Sequence, residues 1–340
     1  MTYNRPFISV IAPTYNRSEV VERTLEHLIA QDYPKDRYEV ILVDNSSDDT
    51  PQMAERVAAT APMPVSLIWV DERLPAVKRN IGLDCAQGDL VMFINDDVWF
   101  DPRALSEHAA SHAAAPGPAA VAGHVYQSPQ MPWTPFIEAY QPFAYHEIAD
   151  RADALVPYRY FWSMNLSLPR QAMLDRNLRF HEDWAQIGHE DIELGYRWSR
   201  AGLPIVYNPR ATGEHYHPHT LDSACRLQAS VGAGLRDLEK LVPEQDLLER
   251  YGVLAWHNSP RAVARGAIRQ ALFNRRTVPP VKRWLEARER NTRLSRWLYW
   301  KVLLHYTNTA YHSAPERSPA AVPTLPATAR SHGLAAWTTS

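Results

Sequence analysis

Over its first hundred residues the chain alternates between β-branched apolar runs and segments of helical periodicity, and few folds satisfy that rhythm. "FISVIAP" (7–13), "YEVILVDN" (38–45), "VSLIWVD" (65–71) and "DLVMFIND" (89–96) read as strands. Between the first two, Val20, Val21, Leu25, Leu28 and Ile29 recur near helical spacing behind Ser18, a good N-cap. Pro51 sits in the first turn of a second helix, and Gly88 closes a third. Strands that are apolar at almost every position must be covered on both faces. The alternation therefore predicts an α/β fold with a mixed, mostly parallel sheet flanked by helices.

The rhythm loosens after residue 100. Residues 101–118 read as a helix and 119–126 as a strand, followed by a Pro-rich, aromatic loop over 127–160. "YRYFWSMNLSLPR" reads as a strand entering a turn, 191–202 as a helix with a Gly stop, and "LPIVYNP" as a short strand. Beyond 222 the pattern is helical. This divides the 340 residues into a sheet domain (1–221), a helical C-terminal region (222–312) and a Pro-, Ala- and Ser-rich tail (313–340) expected to be disordered. Cys85 and Cys225 are too few for a disulfide framework and suit a reducing compartment. The N-terminus shows no signal-peptide h-region, and no apolar run is long enough to span a bilayer, so a cytoplasmic location is expected. With a net charge of −2 and no supporting motif, nucleic acid is not an expected partner.

In open α/β sheets ligands bind at the carboxyl ends of the strands. Here the first strand ends in "APTYNR", the second in "VDNSSDDT" and the fourth in "INDDVW". Taken alone, Asn95, Asp96 and Asp97 at the end of an apolar strand fit a turn as well as a cation site, because both use Asn and Asp. Three polar clusters delivered to one edge are better explained by a ligand. Lys78 and Arg79, early in the third helix, can bring positive charge to the same edge, where it suits a phosphate. Neither a Walker loop nor a Gly-rich dinucleotide fingerprint is present. Two later clusters are open to two readings each. Glu190 and Asp191 are either ordinary acids at a helix N-terminus or catalytic carboxylates. His215, His217 and His219 alternate in "EHYHPHT", as metal ligands on one strand face or as a polar loop.

The ordered set "SVIAPTYNR", "VDNSSDDT", "KRNIGLDCAQGD", "FINDDV", "SMNLSLPR" and "HEDIELGYR" followed by His215 resembles the inverting GT-A glycosyltransferases of family 2. The resemblance covers about residues 7–220. It implies a GT-A fold, a nucleotide-diphosphate-sugar donor and a bound Mn²⁺ or Mg²⁺. Thr14, Tyr15 and Asp44, with Pro13 and Arg17 in the same segments, match positions around the nucleotide. Arg79 matches the basic position near the diphosphate, and Lys78 beside it is kept as a donor-binding candidate. Asn95, Asp96 and Asp97 match the D-x-D motif, with Asn95 replacing its first acid; Asp97 matches the metal ligand. His215 matches the histidine that completes the metal shell, with His217 as the alternative. Asp191 matches the catalytic base, Glu190 being its neighbour, and the acceptor is expected near Trp162, Met164 and Asn165. The resemblance leaves open what the acceptor is: a glycan, a lipid-linked molecule or a small molecule. A retaining transferase of the same fold, or a carbohydrate-binding protein without turnover, remains an alternative reading.

The segment 261–301 holds twelve Lys and Arg against Glu286 and Glu289, a local charge of +10, with Trp284, Trp297 and Trp300 interleaved. Such a segment suits peripheral contact with the inner face of a membrane, contact with an anionic acceptor, or a helical cap packed on the sheet domain with its charges solvated.

Overall fold

The computed structural model describes residues 5–140, 145–151, 154–184, 188–243, 248, 260–288, 290 and 292–314. The four strands expected from the N-terminal rhythm are β1 (Ile8–Thr14), β2 (Tyr38–Asp44), β3 (Val65–Trp69) and β4 (Leu90–Ile94). They pair in parallel in the order β3-β2-β1-β4, linked by α1 (Ser18–Ile29), α2 (Thr50–Ala58) and α3 (Pro75–Cys85). Nearly every residue of β1, β2 and β4 is buried, as a strand covered on both faces requires, whereas the edge strand β3 is half-exposed.

The sheet continues from β4 through β8 (Asn165–Pro169), β6 (Ala120–Gln127), β9 (Ile205–His215) and β5 (Val98–Phe100), with β7 (Ala154–Leu155) paired to β9. β8 is antiparallel to both β4 and β6, and β9 is parallel to β6. β9 therefore points the same way as β4, and its last residue, His215, reaches the edge that holds the ends of β1, β2 and β4. β5 starts straight after Asp97 and runs antiparallel to β9, with Val98 opposite His215. This pairing joins the acidic tip to the histidine segment.

Three expectations need correction. Residues 158–169 are not one strand: Tyr158–Tyr160 is a 3₁₀ turn and only Asn165–Pro169 is extended. The short strand expected near 203 runs on to His215, because a register shift at Gly123/His124 lets β6 and β9 keep pairing. β5 was not anticipated; three residues are too few to show a period. The remaining sheet-domain helices are α4 (Ala104–Ala114), α5 (Pro135–Ala139), α6 (Arg170–Asp175) and α7 (Glu190–Arg200).

The C-terminal region contributes α8 (Leu221–Leu241), α9 (Pro260–Leu272), α10 (Val278–Arg288) and α11 (Arg293–Ser313). Thr220 caps α8 by accepting from Ser223 N at 3.1 Å, while Ser223 Oγ accepts from Thr220 N at 2.9 Å. The tail expected from 313 lies, from 315 onward, outside the described residues. The helices share an apolar cluster with the 131–140 segment. Phe136, Ile137 and Tyr140 pack with Leu221 and Cys225 of α8 and with Leu285, Tyr299 and Val302. No helix among the described residues is long and apolar enough to cross a membrane.

α8 and α11 approach closely where Gly232 faces the carbonyl oxygen of Thr307; a Cβ on Gly232 would overlap that oxygen. Gly232→Ala must push the two helices apart. A loss of about 1–3 kcal/mol, the usual cost of overpacking, is expected in urea unfolding. An unchanged midpoint would show that the helices separate freely.

Candidate active site

The acidic tip of β4 is buried: Asp96 and Asp97 are 7% and 3% exposed. Two adjacent carboxylates in that position need counter-charge. Arg17, which follows the left-handed Asn16 (φ 49°), supplies it. Its Nη1 donates to Asp96 Oδ1 at 2.8 Å and to Asp97 Oδ2 at 2.9 Å. The Asn16 turn is held in place: its N donates to Ser46 Oγ at 2.7 Å, and its Oδ1 accepts from Ser47 N at 2.7 Å. Arg17 was expected around the nucleotide; the structure sets it on the acid pair.

Asp97 also meets the histidine segment. His217 Nδ1 lies 2.8 Å from Asp97 Oδ2, and His215 Nε2 lies 3.4 Å from Asp97 Oδ1. The backbone locks this contact, because Tyr216 N donates to Asp97 O at 2.8 Å. Burial pushes the Asp97 carboxyl up, but His215, His217 and Arg17 outweigh it and hold Asp97 well below the usual carboxylate range. Asp96 moves the other way, raised to about 6 by burial and then by the charge of Asp97. Ligand atoms of Asp97, His215 and His217 all lie within 4.8 Å of one another. One carboxylate and two imidazoles converging on one point can hold a divalent cation. His219 is outside this group. Its ring packs on His217 at 4.2 Å and on Tyr140 at 5.2 Å, and burial pushes its pKa down to about 3.

At the neighbouring strand ends, Thr14 and Asp44 stand opposite each other in the β1–β2 register. Asp44 is fully buried; its Oδ1 accepts from Ser46 Oγ at 2.5 Å, and its Oδ2 has no hydrogen-bond partner. A buried carboxylate oxygen left open at a strand end suits a ligand hydroxyl or N–H. Pro13 is half-buried, and Tyr15 is exposed beside it. Lys78 reaches this edge from below, close enough for Asp44 and Asp96 to act on its charge. It is buried, and its Nζ donates to Thr14 O at 2.7 Å and to Asn45 Oδ1 at 2.5 Å, tying β1 to the end of β2.

Arg79, the next residue, spans the site. Its Nη2 donates to Asn95 Oδ1 at 3.0 Å and its Nη1 to Glu190 Oε1 at 3.1 Å. The amide at position 95 thus accepts from a guanidinium. Glu190 Oε2 accepts from Gly188 N at 2.9 Å, so both of its oxygens are engaged. Asp191 turns elsewhere. Its Oδ2 accepts from Ser163 N at 3.0 Å and from Ser163 Oγ at 3.2 Å, and its Oδ1 accepts from Ile192 N at 2.8 Å. Burial first, and Glu190 second, raise Asp191 to about 6.

The segment expected to meet the acceptor splits in two. Trp162 is half-buried, edge-on to Tyr145 at 4.5 Å. Met164 is buried in the turn before β8, and Asn165 is buried as the first residue of β8. Asn165 Nδ2 donates to Ala211 O at 2.8 Å, and its Oδ1 lies 2.8 Å from His108 Nε2, so it ties β8 to β9 and α4 and is not presented to a ligand. Sequence reasoning missed Ser163, although it lies inside the quoted "SMNLSLPR". A small hydroxyl residue carries no signal of its own until the carboxylate it serves is known.

The profile of glycosyl transferase family 2 matches residues 9–168. The match takes in slightly under half of the chain, all of it within the sheet domain, and the fold is the GT-A fold. Among the chain's relatives is the validoxylamine A glucosyltransferase of Streptomyces hygroscopicus subsp. jinggangensis. It is 28% identical over 271 residues, covering 72% of this chain and 64% of the relative, so the chain spans slightly under two thirds of that protein. Glycosyltransferase AglE of Haloferax volcanii is 36% identical over 98 residues, 28% of this chain and 32% of AglE. A solved mannosyltransferase from Pyrobaculum calidifontis, in complex with GDP-Man and Mn²⁺, superposes with a TM-score of 0.62 at 19% identity, over 92% of this chain and 88% of that one. Residues 1–349 of Staphylococcus aureus TarS, in complex with UDP-GlcNAc, superpose at 0.55 and 17% identity, over 90% and 91%.

Arg17→Met removes the guanidinium from two buried carboxylates. In chelator the variant should lose about 1.5–3 kcal/mol, the usual worth of hydrogen bonds to charged groups, read as a lower melting temperature. Asp97→Ala should abolish the Mn²⁺-induced rise in melting temperature of the wild type. A rise that survives in Asp97→Ala would show that the cation binds elsewhere.

Proposed function

We propose that this protein is an inverting glycosyltransferase that moves a sugar from a nucleoside-diphosphate donor to an acceptor hydroxyl. One observation carries the reading: Arg79 joins Asn95, at the tip of the acid pair, to Glu190, immediately before Asp191. A charged ligand site and a second, independently held carboxylate thus share one edge. The structural neighbours solved in complex with GDP-Man and with UDP-GlcNAc support the donor class.

In this reading the nucleoside lies against Pro13, Thr14, Tyr15 and Asp44, with the open Asp44 Oδ2 accepting from it. The diphosphate lies near Asp96, Asp97 and the two histidines. The mixed carboxylate–imidazole set favours Mn²⁺ over Mg²⁺, which prefers oxygen ligands. Bound there, the cation would offset charge developing on the leaving diphosphate. Asp191 takes the proton of the acceptor hydroxyl as its oxygen bonds to the anomeric carbon, and the bond from that carbon to the diphosphate breaks on the opposite face. Attack from that face inverts the configuration. Ser163 holds the Asp191 carboxylate through both its N–H and its hydroxyl, and Glu190, committed to Arg79 and Gly188, is left to position it.

Thermal shift with UDP-, GDP- and dTDP-sugars, with and without Mn²⁺, tests donor and cation together, because a ligand of the native state raises apparent stability. NMR of the product anomer then tests inversion; retention would remove Asp191 from the mechanism. Asp191→Asn should lower kcat by about 10²–10⁴-fold with donor affinity nearly unchanged, the usual share of general-base help. Glu190→Gln should act more on stability, because it leaves the buried Arg79 without its carboxylate.

The pH profile follows from the raised Asp191. The group is faced by Glu190, which raises its pKa, by Arg79, which lowers it, and by Tyr145. It works as a base only when deprotonated, so kcat should fall as pH drops through about 6. The stability sign is opposite: a raised acid binds its proton more tightly when folded, so this group costs stability as pH rises from the unfolded value toward about 6. A kcat profile flat through this range would exclude Asp191 as the base.

A further inference from the structure

The segment 261–301 carries +10 in a chain of −2, leaving −12 for the rest. The fold turns this imbalance into a surface. α11 is divided by face: Ser295, Tyr299, Val302 and Leu303 are buried, while Arg293, Arg296, Trp297 and Trp300 are exposed at i, i+3, i+4 and i+7. Trp297 and Trp300 are 48% and 54% exposed. Trp297 meets Phe273, just past the end of α9, edge-on at 5.5 Å. On α10, Trp284 lines a groove of about 380 Å³ together with Pro280, Val281 and, from α11, Leu294 and Leu298.

Of the eleven large apolar side chains exposed among the described residues, six lie on α9, α10 and α11. Scattered exposed apolar residues are ordinary, but a cluster marks an interaction site. The cations lean on the rings: Arg288 lies 5.4 Å from the Trp284 ring and Lys301 5.7 Å from that of Trp297. Lys282 is neutralised by Asp222 and Glu286. Among the described residues, Arg283, Arg293 and Arg296 face no carboxylate at ion-pair distance, although all three are exposed.

We propose that this face of α10 and α11, with the end of α9, docks the protein on an anionic lipid surface. The Trp rings and Leu294 enter the headgroup layer, and the arginines meet lipid phosphates. Trp is suited to that layer because its ring is amphipathic, and basic side chains beside it gain from the negative surface potential. A second copy of the chain fits poorly, since a two-fold contact through this face would set like charge against like charge. Nucleic acid would account for the arginines but not for Leu294 and the apolar groove. The opposite face of α11 packs Tyr299 edge-on to Phe136 at 5.1 Å, so the docked helix also braces the 131–140 segment. The proposal stands apart from the catalytic reading and does not need it.

The test uses the full chain, sedimented with vesicles of phosphatidylcholine alone or with added phosphatidylglycerol. Binding is expected only to the anionic vesicles, with a blue shift of Trp fluorescence and release at high salt. Arg293→Glu/Arg296→Glu should lower the partition coefficient by about tenfold or more. Trp300→Ser should also weaken binding. Both variants change exposed residues and should keep the wild-type melting temperature. No binding to anionic vesicles would overturn the proposal. So would equal binding to neutral ones, a dimer in solution that the same variants dissociate, or RNA binding that out-competes the vesicles.

Discussion

Everything at the candidate site depends on keeping two adjacent carboxylates buried at the end of a buried strand. Desolvation opposes charge on both Asp96 and Asp97, and the protein answers with three cationic or protonatable partners from distant parts of the chain. Arg17 comes from the turn after β1, and His215 and His217 come from the end of β9. The two acids respond differently because the partners favour Asp97, so one is held ionised and the other raised. The sheet topology follows from the same need: β5 must leave the acidic tip antiparallel to β9 if the histidines are to reach it.

A second clamp sets the spacing between the charged edge and the Glu190–Asp191 pair. Arg79 is buried and bonded at both ends, to Asn95 and to Glu190. An amide at position 95, beside the two acids, has a local logic here. Asn95 gives the guanidinium an acceptor without adding a third negative charge to a site that already struggles to bury two. Lys78, one residue away on the same helix, bonds the backbone of β1 and the Asn45 side chain and so ties the two strand ends together. Adjacent cations on α3 thus divide the labour between holding the sheet and holding the site.

The C-terminal helices belong to the same body as the sheet domain through their apolar contacts with the 131–140 segment and α7. Their inward faces are ordinary core. Their outward faces concentrate three exposed tryptophans and, among the described residues, arginines with no carboxylate at ion-pair distance, and this separation of faces gives the basic composition a direction.

The sequence by itself determined the parallel block β1–β4, because near-continuous apolar runs separated by helical periods are local patterns with one good solution. It also determined that Thr14, Asp44 and the Asn95–Asp97 tip share an edge, since parallel strands deliver their carboxyl ends together. Only the tertiary structure decided the order of β8, β6, β9 and β5, which depends on pairings between distant segments and leaves no period in the chain. Only the tertiary structure separated Glu190 from Asp191 and Lys78 from Arg79. Neighbours on a helix differ by about 100° in direction, and which one meets a partner depends on Ser163, Asn95 and Thr14, far away in sequence. The alternation of His215, His217 and His219 suggested one strand face. Yet β9 ends at His215, and His217 reaches Asp97 from beyond the strand. Spacing told which residue types were near one another; long-range electrostatics and packing chose which of them meet.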